Sequence, residues 1–192
     1  ERFLLPISKK KTHVIEINAG QITTTDLTIS LPPTLNFEPF GGYSKIAAVE
    51  RHHNTGKIGV AVAKGYGIKN GAVASSVSHD SHNIIVIGDN DADMAIAVNE
   101  IIRTQGGYTV VENGKVYETL ALPIMGLMSD VGFENVNEAL QRMIQKAHQM
   151  GVAAQIDPFV TLSFLALPVI PELRITPRGI CKMTAKGPII LS

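Results

Sequence analysis

Apolar positions change their spacing along this chain, and the change divides it into a strand-rich first half and a second half where helices and a hairpin alternate. Residues 13–18 set Val14, Ile15 and Ile17 among polar neighbours and predict a strand. Residues 45–50 and 58–64 predict two more, joined by the polar turn Asn54-Thr55-Gly56. Residues 72–77 and 84–87 are apolar and rich in β-branched side chains, as buried strands are. Between them stands a polar knot, Ser78-His79-Asp80-Ser81-His82-Asn83, whose Asp-Ser pair reads as a turn. The threonine-rich residues 21–26, and residues 31–42 with three prolines and two glycines, read together as a long irregular connection.

Beyond the knot the period lengthens. Asp91 can cap a helix that lines Met94, Ala97, Val98, Ile101 and Ile102 on one face and stops at Gly106-Gly107. Residues 108–112 and 115–120 flank Asn113-Gly114, the strongest local hairpin signal in the chain, because both central residues of that turn need positive φ. Residues 133–150 form a second amphipathic helix, burying Val136, Ala139, Leu140, Met143, Ile144 and Ala147. A third, shorter helix over 157–165 has Pro158 in its first turn. The tail, with Pro168, Pro171, Pro177 and Pro188, allows only short strands. The expected architecture is α+β: a single domain with a mixed, largely antiparallel sheet and two to three amphipathic helices. Residues 1–13 are expected to be a linker or edge segment and 14–192 the domain.

Composition narrows the partners. The 17 basic side chains balance the 17 acidic ones, and the only basic cluster, Lys9-Lys10-Lys11, reads as a solvated tail, so nucleic acid is not an expected partner. A membrane is not expected either, since the longest apolar run, 164–170, is broken by Pro168. The lone Cys181 fits a reducing compartment, and the expected location is cytoplasmic. The chain opens without a signal-peptide pattern, in apparently structured sequence, which suggests a fragment of a longer protein.

Candidate chemistry concentrates at the knot. In a straight strand, His79 and His82 would point to opposite faces roughly 10 Å apart, so they can face one ligand only if the chain bends at Asp80-Ser81. The adjacent His52 and His53 point to opposite faces of a strand, so at most one can join them. Together these groups could supply metal ligands, but a structural or partner-facing role suits the spacing better. Asp89, Asp91 and Asp93, with Glu100, imitate a calcium loop, yet Met94 stands where that loop needs glycine; they read as helix-start carboxylates. Gly65-Tyr-Gly67 has no helix after it and reads as a turn. The serines at 75, 76, 78 and 81 lack the context of a hydrolase nucleophile.

The stretch Val77-Ser-His-Asp-Ser-His-Asn-Ile84 resembles the signature of the C-terminal domain of bacterial adenine deaminases, of the amidohydrolase superfamily. Glu50-Arg-His-His-Asn-Thr-Gly56, Lys64-Gly-Tyr-Gly-Ile-Lys-Asn-Gly-Ala72, Leu122-Pro-Ile-Met-Gly-Leu-Met-Ser-Asp130 and Asp157-Pro-Phe-Val-Thr-Leu-Ser-Phe-Leu-Ala-Leu-Pro-Val-Ile-Pro171 resemble further blocks of that domain, in the same order. The resemblance implies hydrolysis of adenine to hypoxanthine and ammonia by metal-bound hydroxide. It also implies a two-metal centre of manganese or iron in an amidohydrolase barrel domain that would be this chain's partner. This chain has no His-x-His pair and no barrel-length alternation of strands and helices, so no cofactor is expected within it. His79, Asp80 and His82 are the expected substrate-proximal group, supported by Asn83 and one of His52 and His53. Two alternatives stay open: an independent metal- or small-molecule-binding module, or a purely structural or oligomerisation domain, for which a homo-oligomer would be the expected partner.

Overall fold

A computed structural model describes residues 3–8 and 11–191 of the chain. Lys9 and Lys10 of the basic cluster lie outside the described residues, and Lys11 is exposed. The strands are β1 (Thr12–Ile17), β2 (Thr24–Ile29), β3 (Tyr43–Val49), β4 (Ile58–Lys64), β5 (Gly71–Ser75), β6 (Ile84–Gly88), β7 (Gly107–Glu112), β8 (Lys115–Ala121), β9 (Leu173–Thr176), β10 (Gly179–Thr184) and β11 (Gly187–Leu191). The helices are α1 (Asp91–Arg103), α2 (Phe133–Gln149) and α3 (Pro158–Leu165). The main sheet has eight strands in the order β2-β1-β4-β3-β6-β5-β7-β8. Among the described residues only β1 and β4 pair in parallel. Strands β9 to β11 form a small antiparallel sheet of their own. The α+β expectation, with a mixed and largely antiparallel sheet and three helices, agrees with this fold.

Both faces of the sheet are covered, so the central strands read as unbroken apolar runs rather than alternating ones. Alternate residues still choose sides. Ala72 and Ala74 of β5, and Ile84 and Val86 of β6, pack under Met94, Ala97, Val98 and Ile101 of α1. Val73, Ile85 and Ile87 face the opposite layer, where Met143, Phe159, Leu162, Leu173 and Ile175 bring in α2, α3 and β9. Burying one such branched side chain contributes about 2 kcal/mol, and this second cluster is the larger.

Several local expectations shift. Residues 24–29, expected to lie in an irregular connection, form β2, in register with β1 from Thr12↔Ile29 to Ile17↔Thr24. Threonine is β-branched and suits an edge strand as well as valine does, so a threonine-rich stretch forms a strand where a neighbour offers an open edge. The rest of that stretch is irregular but not idle, since Leu31 and Phe37 are buried beside Val14 and Val62. Asn90, not Asp91, caps α1: its side chain accepts from the Asp93 amide. Asp91 instead meets the ammonium of Lys45 at 2.5 Å, and that fully buried lysine also donates to Asn36 Oδ1 and the Phe3 carbonyl. Asp89 accepts from the amides of Asn70 and Gly71, and Asp93 from that of Gly114, so these carboxylates serve the fold. Asn113 and Gly114 have φ of 50° and 77°, the left-handed pair the β7–β8 hairpin needs.

Candidate functional site

Topology gathers several chain segments at one end of the main sheet. The β5–β6 connection carries the polar knot, with Ser75 opposite Ile85 as the last paired residues. Strand β3 ends beside it, Val49 pairing with Ile84, so Glu50, Arg51 and His52 emerge next to the knot. Gly107 pairs with Ala121 at the same end, which delivers the segment after β8 to the site. None of these neighbours is close in sequence.

The knot does turn. A tight turn covers residues 79–81, and His82 adopts φ 48°. The His82 amide donates to the Ser78 carbonyl at 2.6 Å, and Ser78 Oγ donates to the Asn83 carbonyl at 2.7 Å, closing the loop on itself. The two imidazoles end with centroids 6.2 Å apart. Asp80 points to solvent, its side chain 3.7 Å from His79 Nδ1. His52 joins the group, its Nε2–H donating to the Ser81 carbonyl at 2.6 Å, while His53 turns away to Glu50 at 3.3 Å. One member of the adjacent pair meets the knot and the other does not.

Three residues outside the expected set hold this arrangement. Arg51 donates from its backbone to Asn83 Oδ1 at 3.1 Å, and from its guanidinium to the carbonyls of His82 at 2.9 Å and Met125 at 3.0 Å. The His79 amide donates to the Ser163 carbonyl on α3 at 3.1 Å, and the His79 ring lies against that of Phe164. All three stand within the sequence blocks that resemble the adenine deaminase domain, but no periodicity says that α3 or the end of β3 reaches the knot.

The electrostatics are uneven. Burial, and then the neighbouring His79 and Arg51, push the His82 imidazole below its ordinary pKa, which keeps it neutral near pH 7. Its Nδ1 is buried and finds no protein partner. Burial also lowers the Arg51 guanidinium. Glu50 is held near pKa 2, chiefly by the amide of Thr55, with the amides of His53 and His52 and the Thr55 hydroxyl adding to it. The arrangement can donate and accept hydrogen bonds and orient a ligand. Among the described residues, no group of three or more His, Cys, Asp and Glu side chains is placed to hold a metal ion.

Beside the knot the surface is apolar. Met125 is 75% exposed and Phe133 78%, with Ile124, Met128 and Val131 exposed between and around them. In residues 164–170, by contrast, Leu165 and Ala166 are buried and only Val169 stands out. Phe164 also lines a cavity of about 210 Å³ between α3 and the connection from β1 to β2.

This geometry defines an α+β domain that presents a braced, histidine-bearing turn and an apolar segment on one surface. A family profile, the adenine deaminase C-terminal domain, matches residues 21–186, and the chain belongs to that family. An adenine deaminase of Desulfitobacterium hafniense (strain Y51) is 48% identical over 181 residues, covering 94% of this chain and 32% of the relative. That of Clostridium acetobutylicum is 54% identical over 140 residues, 72% of this chain and 25% of the relative. That of Bacillus subtilis (strain 168) is 43% identical over 181 residues, 93% and 31%. The chain thus spans about a third or less of the length of these curated relatives.

Proposed function

We propose that this chain is the C-terminal part of an adenine deaminase, which converts adenine and water to hypoxanthine and ammonia. The family match over residues 21–186 carries this reading. In it, the metal chemistry belongs to an amidohydrolase barrel domain outside this chain, with manganese or iron there, and no step of that chemistry is assigned to residues here. The exposed segment around Met125 supplies a surface for packing on that domain. Next to it, His79, Asp80, His82, Asn83 and His52 face the mouth of the barrel and orient substrate. A neutral imidazole offers one donor and one acceptor, the complement of a purine edge, and it can equally fix a catalytic carboxylate. His53, turned toward Glu50, stands further back.

Among the described residues no helix is long and apolar enough to cross a membrane, and Cys181 is free and buried. The free thiol suits a reducing, cytoplasmic location. An independent metal-binding module is a weaker reading, because the described residues lack a three-ligand group.

The test is made in the full-length protein. His79→Ala and His82→Ala should each lower turnover by more than they lower metal content or melting temperature. Unchanged kinetics in both would make these histidines structural. The isolated chain, saturated with manganese, should leave the ultraviolet absorbance of adenine unchanged, and turnover by it would place the chemistry in this domain after all.

A further inference from the structure

Arg51 bridges the polar turn and the apolar stretch after β8. Its Nε–H donates to the His82 carbonyl at 2.9 Å and its Nη2–H to the Met125 carbonyl at 3.0 Å. Its own amide donates to the Asn83 side chain at 3.1 Å, so three donors of one residue grip both sides. The guanidinium needs glycine beneath it, since a Cβ on Gly126 would lie 2.2 Å from Nη1. Gly126 in turn is fixed from the sheet side. Ser76 Oγ donates to the Gly126 carbonyl at 2.7 Å and accepts the Gly107 amide at 2.8 Å. A Cβ on Gly106 would come within 2.3 Å of the Gly126 Cα. The carbonyl of Met125 is therefore held in place by the end of the sheet, while the Met125 side chain stays exposed. A planar guanidinium with donors in a fixed fork can register two carbonyls; a lysine ammonium cannot hold both in one geometry.

We propose that Arg51 is a positioning residue for the deaminase reaction: it locks the His79–His82 turn in register with the apolar segment around Met125, so that docking of that segment on the catalytic domain sets where the histidines point. This rests on the reading of the turn as substrate-facing. Arg51 touches carbonyl oxygens rather than the reacting atoms, and its effect on the reaction passes through His82 and Asn83.

The experiment uses the full-length enzyme and the variants R51A, R51K, H79A and H82A, each assayed for kcat, KM for adenine, bound metal and melting temperature. A sub-ångström to ångström displacement of an orienting group lowers turnover by about tenfold to a hundredfold. R51A should show that loss in kcat with KM and metal content within about twofold of wild type. R51K, which keeps charge and stem but cannot bridge both carbonyls, should remain impaired. Added ethylguanidinium should restore part of the kcat of R51A and none of that of H79A. Where R51A does not fold, R51K reads the same quantities. Wild-type kcat in R51A or R51K, a loss that merely tracks the folded fraction, or failure of both to fold overturns the inference. Wild-type kinetics in H79A and H82A overturns the substrate-facing reading and this inference with it. Impaired H79A and H82A beside normal Arg51 variants overturns the inference alone.

Discussion

The imidazole of His79 lies against the ring of Phe164, centroids 5.0 Å apart and planes inclined by 37°, while the His79 amide donates to the carbonyl of Ser163 one residue earlier on α3. A polar turn at the end of the sheet thus owes its position to a helix from the far end of the chain. An aromatic contact of this type contributes about 0.5–1.5 kcal/mol beyond burial, which is enough to choose one rotamer over its alternatives.

Phe164→Ala is accordingly expected to free the His79 ring without releasing its backbone. In the full-length enzyme turnover should fall by about tenfold, from lost orientation. Phe164→Tyr, which keeps the ring, should stay near wild type. Steady-state kinetics on the two variants check this, and equal effects would break the link between ring contact and activity.

Arg174 is a stability prediction. It is fully buried, burial pulls its pKa down to about 10, and its Nε finds no protein partner. Its other nitrogens donate to the carbonyls of Ile22, Pro171 and Leu173 and to Thr24 Oγ1, tying β2 to β9. Arg174→Met roughly keeps the volume but strands the Ile22 carbonyl, while the Pro171 and Leu173 carbonyls and Thr24 Oγ1 keep their other partners, at a cost of about 1–3 kcal/mol. Chemical denaturation should register that loss, and an unchanged midpoint would mean the Ile22 carbonyl finds water instead.

His82 predicts a pH dependence. Its folded pKa lies below the ordinary 6.5, so the unfolded chain binds the proton more readily. Stability attributable to His82 is then full above about pH 6.5 and falls as pH drops from there toward the folded pKa. His82→Gln should lose less stability than wild type on acidification through that window. Parallel curves for the two proteins would contradict the cause assigned to the shift.

Glu50 works in the other direction and at lower pH. Its carboxylate accepts from the amides of His52, His53 and Thr55, which depresses its pKa from 4.5 to about 2. Its contribution is present above pH 4.5 and is lost as pH falls toward 2. Glu50→Gln should be less stable than wild type at neutral pH, with faster exchange of those three amides, and the stability difference should vanish near pH 2.

Much of this protein follows from its sequence because short-range rules suffice for it. Period-two and period-3.6 patterns locate most strands and all three helices, Asn113-Gly114 fixes a hairpin, and Pro158 opens α3. The family, too, is legible, since five ordered blocks reach the chain's identity through residue type alone. The sequence also marks the knot and requires a bend at Asp80-Ser81 for its histidines to meet. Tertiary structure decides what local pattern cannot encode. Strand β2 forms from threonines because β1 offers an open edge, an energy that depends on a partner seven or more residues away. His52 rather than His53 meets the turn because of how the chain leaves β3. Arg51, Gly126 and Phe164 join the site through contacts spanning from 31 to more than 70 residues or through an aromatic face, and periodicity carries no information at such separations. Packing across the sheet end, not the order of residues along it, makes one surface of them.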